Sequence, residues 1–532
     1  MFRILLLALA LLAPPLLAPP AGADEFSDAV AALTEGSFRD KASAVEKLGN
    51  LGDPRALAAL RAMSDGQLNA GPGKRAVILT PAGARDAVTG QPVQVAADQL
   101  QRVNINNAVR TALRAALSRL QIFDPDPARR MAAVEDVMKS PSPETVQLLR
   151  SAADKESDAR VRDMMRFGLA FMTLKGGSRE ERMAALSQIA GSVRPEVTVA
   201  LRDFLKEVGD DVQLRLAVER ALDRSELNRL LLDLAINLFQ GVSLGSVLLL
   251  ASIGLAITFG VMGVINMAHG EMLMIGAYTT FVVQELFRAF LPKGMFDLYL
   301  VAALPTAFLV AVLVGIALER GIIRFLYGRP LETLLATWGL SLALQQAVRS
   351  IFGPTNREVA NPSWMTGGIE LVGDAVLTYN RICIIIFSAL IMVALGLIMR
   401  RTSIGLDMRA VTQNRPMAAA MGIPTGRVDA FTFGLGSGIA GMGGVALSQI
   451  GNVSPNLGQI YIVDAFMVVV FGGVGNMVGT VVGALSLGMV NKFLEPFAGA
   501  VLGKILVLIA IILFIQKRPR GLFALKGRAV ES

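Results

Sequence analysis

The stretch that decides the fold of the C-terminal half is GVINMAHGEMLMIGAY, residues 263–278, which joins two long apolar runs. Each run is long enough for a membrane-spanning helix, which needs about 20 mostly apolar residues. Further apolar segments follow, so the sequence predicts an all-α, polytopic membrane protein of about eight or nine spans. The predicted spans are 234–260, 268–288, 298–318, 331–351, 382–399, 428–450, 460–475, 478–494 and 501–516.

The segment 460–494 leaves the number of spans open. Its two apolar runs are separated by a glycine-rich turn, so they form either two spans or a broken, re-entrant pair. Broken helices at membrane depth are tolerated where they are buried in protein or line a cavity.

Composition excludes several classes of protein. Of 532 residues, 53% are hydrophobic and 18% charged, whereas a soluble protein has about 25% charged residues. One histidine and one cysteine exclude a disulfide scaffold and leave no basis for a zinc site. No pair of carboxylates lies within one span, so we predict no catalytic residues, no metal and no enzymatic activity.

The division of charge along the chain predicts its orientation. Residues 24–226 carry 29 acidic and 29 basic side chains, whereas the chain after 226 carries 14 acidic and 21 basic. With the first span starting outside, the predicted cytoplasmic loops hold 13 Arg and Lys against 8 outside. This bias follows the positive-inside rule. It predicts a multi-pass protein of the bacterial inner membrane, surrounded by lipid, with a cytoplasmic C-terminus and no nucleic-acid partner.

The N-terminus has the pattern of an export signal. Residues 1–23 have one arginine, a short apolar core and a small-residue cleavage site, which is typical of a secretory signal peptide. An uncleaved anchor is the alternative. In both cases residues 24–226 are expected in the periplasm, and 227–532 are expected to form the transmembrane domain.

The exported segment contains a threefold repeat. KASAVEKL (41–48), RMAAVEDV (130–137) and RMAALSQI (182–189) align without gaps, and each is followed by a proline and then a Leu-Arg pair at fixed spacing. Helix, proline-marked turn and helix is the organisation of a HEAT-like α-solenoid. An insertion near 69–98 has hairpin character. Such a solenoid presents a surface for a partner or caps the membrane domain.

Four polar residues in the apolar half are candidates for a solute pathway: Asn266, His269, Glu271 and Asp464. Ionisable groups beside or inside a span are functional hypotheses by default. The alternative is structural, because Asn266 could cap the following helix and Glu271 could complement its N-terminal dipole.

The loop 400–424 is the longest polar segment on the predicted cytoplasmic face. Residues 417–421 suit a short helix closed by Gly422 and Pro424, which fits docking to another protein; an ordinary basic loop is the alternative. The chain lacks a GxxxxGK[ST] phosphate loop. We therefore predict that it binds no cofactor and that any ATP-driven work must come from a partner.

A family resemblance rests on these stretches. The block 263–278, the loop 400–424, the segment VVVFGGVGNMVGTVVG (468–483) and the ending KRPRGLF (517–523) resemble the permease subunits of branched-chain amino acid ABC transporters. The resemblance covers about residues 230–525. The N-terminal extension is not typical of the amino acid permeases and resembles the urea-type branch, the urea ABC transporter permease.

The resemblance implies an importer. A periplasmic solute-binding protein delivers the solute, a second permease subunit completes the pathway, and two cytoplasmic ATPase subunits supply energy. The implied solute is urea, with branched-chain amino acids or short amides as the alternative and a stand-alone channel as a weaker one. The implied ATPase-coupling loop contains Arg409, Gln413, Asn414, Arg415, Ala419, Ala420 and Gly422, although Met417 stands where other importers have Glu.

Overall fold

A computed structural model describes residues 25–80, 83–95, 99–139, 143–370 and 375–523. The predicted signal peptide lies outside these residues. Two compact units divide the chain after Asn228. Helices of the first are α1 (Glu25–Ala32), α2 (Phe38–Leu51), α3 (Pro54–Ser64), α4 (Asn107–Gln121), α5 (Pro127–Lys139), α6 (Pro143–Ala153), α7 (Ala159–Gly176), α8 (Arg179–Ile189) and α9 (Pro195–Glu207).

Helix α10 (Val212–Met262) contains the boundary between the units. The helices that follow are α11 (His269–Phe290), α12 (Tyr299–Gly321), α13 (Pro330–Phe352), α14 (Tyr379–Arg401), α15 (Ser403–Gln413), α16 (Arg415–Ala420), α17 (Thr425–Ser448), α18 (Leu457–Gly472) and α19 (Met477–Lys517).

The threefold repeat forms three helix pairs: α2 with α3, α5 with α6, and α8 with α9. The second helix of each pair begins at the repeat proline, Pro54, Pro143 or Pro195, where the missing N–H of proline removes no helical hydrogen bond. Equivalent positions of the three copies are buried in the cores of this unit. These are Ala44, Ala133 and Ala185; Val45, Val134 and Leu186; and Leu60, Leu149 and Leu201. The HEAT-like organisation is confirmed.

The insertion forms a small antiparallel sheet. Its strands are β1 (Leu68–Ala70), β2 (Ala76–Thr80), β3 (Gly83–Asp86) and β4 (Gln101–Arg102), in the order β3-β2-β1-β4. Strand β2 is the predicted β-prone piece, and it pairs with β3 from Thr80↔Gly83 to Val77↔Asp86. The predicted hairpin therefore lies within a larger sheet.

Among the described residues, five helical segments are long and apolar enough to cross a membrane. They include α10, α14, α17, α19 and the segment Gly294–Phe325 that contains α12. Helices α11 and α13 have similar length but carry buried polar residues. The eighth and ninth predicted spans both lie in α19, which is divided into two helical parts by the non-helical backbone of Gly499 (φ +73°).

Helix α18 is short. Its 16 residues span about 24 Å, against a hydrocarbon core of about 30 Å. It joins α19 through a turn with Gly473 at φ +104°. The segment that follows α19 packs on this turn, because the Leu522 N–H donates to the Phe471 carbonyl at 2.9 Å.

The glycines of α17 permit direct backbone contact with neighbouring helices. A Cβ added to Gly276 of α11 would lie 2.0 Å from the carbonyl oxygen of Gly441, and one added to Gly436 would lie 2.7 Å from that of Gly254 in α10. Small residues at such crossings allow close packing in lipid. The glycines at both positions therefore allow tight packing of the helices.

Two further strands lie between α13 and α14. Strands β5 (Gly368–Glu370) and β6 (Val376–Thr378) form an antiparallel hairpin. Nearby, the N–H groups of Arg357 and Val453 donate to each other's carbonyl oxygens at 2.8 and 2.9 Å. This bridge ties the loop after α13 to the loop between α17 and α18.

Candidate functional site

The turn between α10 and α11 presents Asn266 to the interior. The side chain is 2% exposed, and its Oδ1 has no hydrogen-bond partner among the described residues. Helix α11 begins at His269, and its N-cap, Ala268, has no side-chain cap. The capping role considered for Asn266 is therefore wrong, because the helix starts two residues too late for its side chain to serve as the N-cap.

His269 packs against α10. Its ring is fully buried, and Nε2 lies 3.0 Å from the carbonyl oxygen of Ala251. A carbonyl oxygen only accepts, so Nε2 carries the proton and donates. A Cβ on Gly254 would lie 2.8 Å from the ring's Cε1, so glycine makes room for the imidazole.

Glu271 faces α13 instead. Its Oε1 accepts hydrogen bonds from Ser341 Oγ and Gln345 Nε2, each at 2.8 Å. The other carboxylate oxygen, Oε2, is buried without a partner among the described residues. The carboxyl group is thus held at one oxygen and leaves the second free to accept or share a proton inside the bundle.

Helix α13 carries this polar contact on one face. Its buried residues include Thr333, Thr337, Ser341 and Gln345, one every four residues, whereas Leu331, Leu335 and Trp338 are exposed. An i, i+4 spacing places side chains on one helical face. Sequence reasoning missed Ser341 and Gln345, although this polar stripe within a span was a readable signal.

The four predicted pathway residues do not share one set of contacts. His269 contacts α10. Glu271 contacts α13 and also lies against Gly458 of α18, whereas Asp464 lies further along α18. Asp464 is 5% exposed and accepts a hydrogen bond from Lys504 Nζ of α19 at 2.8 Å. Its burial is therefore compensated by a basic partner from the neighbouring helix, as a buried carboxylate requires.

The predicted coupling loop consists of two helices. Asn414 is extended between α15 and α16 and caps the latter, because its Oδ1 accepts from the N–H of Met417 at 3.0 Å. Gly422 follows at φ +88°, a backbone conformation that favours glycine. Arg409 lies on α15 and donates to the carbonyl of Met399 at 2.6 Å.

The short helix α16 and the residues next to it, Gln413 and Met421, are partly exposed, and the exposed side chains include two methionines. Met417 is 60% and Met421 77% exposed, and Gln413, Ala419 and Ala420 are exposed as well. Ala418 is buried in the core formed with Met408 and Val428. One face of the segment is therefore anchored to the bundle while flexible, adaptable methionines are presented outward.

Arg415 anchors α16 to a buried carboxylate. Its guanidinium makes a two-point contact with Asp429 of α17, which is fully buried; Nη1 to Oδ1 is 3.1 Å, and Nη2 contacts Oδ2. The hydrogen bond to Asp429 raises the pKa of Arg415. The guanidinium of Arg415 therefore keeps its positive charge beside the carboxyl group.

The same guanidinium covers an aromatic ring. It lies 5.1 Å from the ring centroid of Tyr327, and the Tyr327 hydroxyl donates to Oε1 of buried Glu319 at 2.8 Å. Burial raises the pKa of Tyr327, so the hydroxyl keeps its proton. We call Glu319, Tyr327, Arg415 and Asp429 the coupling cluster; it connects α12 and α17 to α16.

Sequence reasoning found only Arg415 of this cluster. Glu319 and Asp429 are acidic residues near the ends of predicted spans, a signal that was available. The partners of these two residues, Tyr327 and Arg415, could not be predicted from the sequence, because neither partner lies on the same helix as the acidic residue. Among the described residues, no group of three or more His, Cys, Asp or Glu could hold a metal ion.

The described part of the chain thus combines buried polar groups inside an apolar helical bundle with an exposed short helix that is anchored to the bundle. Residues 237–515 match the family described as "Branched-chain amino acid transport system / permease component". The chain belongs to this family of ABC transporter permeases. Residues 40–66 match the PBS lyase HEAT-like repeat.

Individual relatives agree with the family. The chain is 31% identical over 296 residues to the high-affinity branched-chain amino acid transport system permease protein LivH of Salmonella typhimurium, covering 54% of this chain and 94% of the relative. BraD of Pseudomonas aeruginosa, a protein of the same description, is 31% identical over 291 residues with the same coverage. No solved structure matches the chain.

Proposed function

We propose that this chain is the membrane-spanning subunit of an ATP-driven importer for branched-chain amino acids. The observation that carries the proposal is the match over 237–515, together with relatives that are covered over 94% of their length and named for these solutes. The sequence resemblance implied urea as the solute. The comparisons favour branched-chain amino acids instead.

Helix α16 is the proposed contact for the ATPase. A permease that hydrolyses no ATP must receive the motion of its ATPase through a surface that is exposed and rigidly joined to the spans. The exposed Met417 and Met421 supply the surface, and the coupling cluster supplies the connection to α12 and α17. Movement of α16 would therefore displace two helices of the bundle directly.

The remaining partners follow from the transport class. We propose a second permease subunit, two cytoplasmic ATPase subunits and a periplasmic solute-binding protein, with the HEAT-like domain in the periplasm as a docking surface for the binding protein. Deletion of residues 30–220 is then expected to weaken association of the binding protein in a pull-down. Unchanged affinity would refute this role.

Glu271 is the strongest of the proposed pathway residues. Its free Oε2 lies inside the bundle beside Ser341 and Gln345, where it can accept a hydrogen bond from a polar solute. Asn266 and His269 also keep an unpartnered buried atom among the described residues. Asp464 is less suited, because Lys504 already occupies one of its oxygens.

Urea import is the second candidate. The specific observation is the N-terminal extension: the amino acid permeases align with only 54% of this chain, and the layout of an exported repeat domain before the spans resembles the urea-type branch.

Uptake by a strain that lacks this chain separates amino acid import from urea import. The strain is tested with micromolar radiolabelled leucine and, separately, urea, with and without the wild-type chain restored. Loss of leucine uptake that returns on restoration supports the proposal. Unimpaired leucine uptake with lost urea uptake would replace it by the urea function.

A further inference from the structure

A cavity lies at the end of the bundle away from α16. It has a volume of about 450 Å³ and is lined by residues from α10, α14, α17, α18, α19 and the loops after α13 and α17. That volume is in the range of small-molecule sites, about 300–1,000 Å³. Leu447 of its wall is 18 residues from Asp429 along α17, which places the cavity about 27 Å from the coupling cluster.

The cavity is positively charged. Arg381 and Lys492 line it, and none of its lining residues is acidic. Lys492 is paired with Glu495 at 2.5 Å. The half-buried guanidinium of Arg381, by contrast, has no hydrogen-bond or ion-pair partner among the residues that the structure describes.

An unpaired guanidinium in a half-enclosed pocket favours an anionic ligand. Taking a charge out of water is unfavourable unless an opposite charge compensates it, and the planar fork of arginine matches a carboxylate with two parallel hydrogen bonds. The amides of Asn356 and Asn452 lie in the same wall and can satisfy further polar atoms of a ligand.

The rest of the wall is aliphatic. Leu244, Leu447, Ile450, Leu457 and Ile460 line the cavity beside the cations. Urea has no apolar part to bury there, whereas a branched aliphatic side chain would remove apolar surface from water on both sides of the contact.

We propose that this cavity binds the carboxylate of an aliphatic amino acid through Arg381, with the solute's side chain against the leucines and isoleucines. Lys492 adds positive charge to the wall of the cavity but does not pair directly with the ligand's carboxylate, because it is already paired with Glu495. The proposal rests on the proposed function, since it gives that function a solute-binding site within the chain itself.

The test is equilibrium binding of radiolabelled L-leucine to the purified full chain in detergent. Arg381→Gln is expected to weaken leucine binding by about 10- to 100-fold, the usual effect of losing a hydrogen bond to a charged group, and Arg381→Lys by less. Arg288→Gln, an arginine paired with Glu285 outside the cavity, is the matched control and should bind as wild type. Leucinamide, which lacks the carboxylate, should bind weakly to all variants.

Two results would overturn the site: no leucine binding by the wild-type chain, or equal binding by wild type and Arg381→Gln with both eluting as folded protein. Leu447→Asp checks the apolar wall independently and should also weaken binding. Leucine uptake by the strain that lacks this chain is measured separately. If that strain still takes up leucine, the proposed function is contradicted. If uptake is lost but Arg381→Gln binds leucine as well as wild type does, only the proposed site is contradicted.

Discussion

The guanidinium of Arg415 makes a two-point ion pair with Asp429, which is completely buried in α17. This contact joins a short helix with two exposed methionines to the helix whose glycines pack against α10, α11 and α12. The pair is the structural element through which force on α16 would reach the spans.

Arg415→Ala should destabilise the chain and abolish uptake. Removing one partner leaves Asp429 buried and unpaired, which costs about 3–5 kcal/mol for a buried pair. We expect the lower end, because the Arg415 side chain is 38% exposed. Membrane abundance and solute uptake measure the two effects.

The double variant Arg415→Met/Asp429→Leu is the control for this pair. Apolar replacement of both partners is often neutral or stabilising, so abundance should recover. Low abundance of the double variant as well would show that the ion pair is not the source of the loss.

Cysteine cross-linking tests the docking surface. Met421→Cys in a Cys383→Ser background, which removes the chain's one native cysteine, should cross-link to the ATPase subunit. Phe290→Cys is equally exposed, at 80% against 77% for Met421, but lies at the far end of α11 and should not. If Phe290→Cys cross-links to the ATPase subunit and Met421→Cys does not, the predicted orientation of the chain in the membrane is wrong.

Two adjacent glutamines test the environment of Glu271. Gln345→Ala removes one of its donors and should cost about 1–3 kcal/mol, with reduced uptake. Gln346→Ala changes an exposed residue on the other face of α13 and should leave abundance and uptake unchanged. Equal behaviour of the two variants would argue against a role for the Glu271 contact.

Two glycine-to-alanine changes test the helix crossings. At Gly276 the new Cβ would lie 2.0 Å from the Gly441 carbonyl oxygen, whereas at Gly339 nothing lies within 4 Å. Overpacking costs about 1–3 kcal/mol, so Gly276→Ala should lower the melting temperature of the purified chain. Gly339→Ala, with the same change in helix propensity, should leave it unchanged or raise it slightly.

Periodicity and proline spacing were enough to predict the helices and the repeat. Pro54, Pro143 and Pro195 begin helices because their ring fixes a helical φ, a property of the residue itself. The contacts of Glu271 with Ser341 and Gln345 span at least 70 residues, so sequence spacing carries no information about them. The break at Asn414 was also missed, because a capping asparagine and a loop asparagine look alike in sequence.

The most direct test of the central claim is ATP-dependent accumulation of leucine by the complex purified through a tag on this chain and reconstituted in liposomes. The account predicts accumulation with hydrolysable ATP, none with a non-hydrolysable analogue, and none for the Arg415→Ala complex. Leucine flux that is equal with and without ATP would contradict it and make the chain a passive channel.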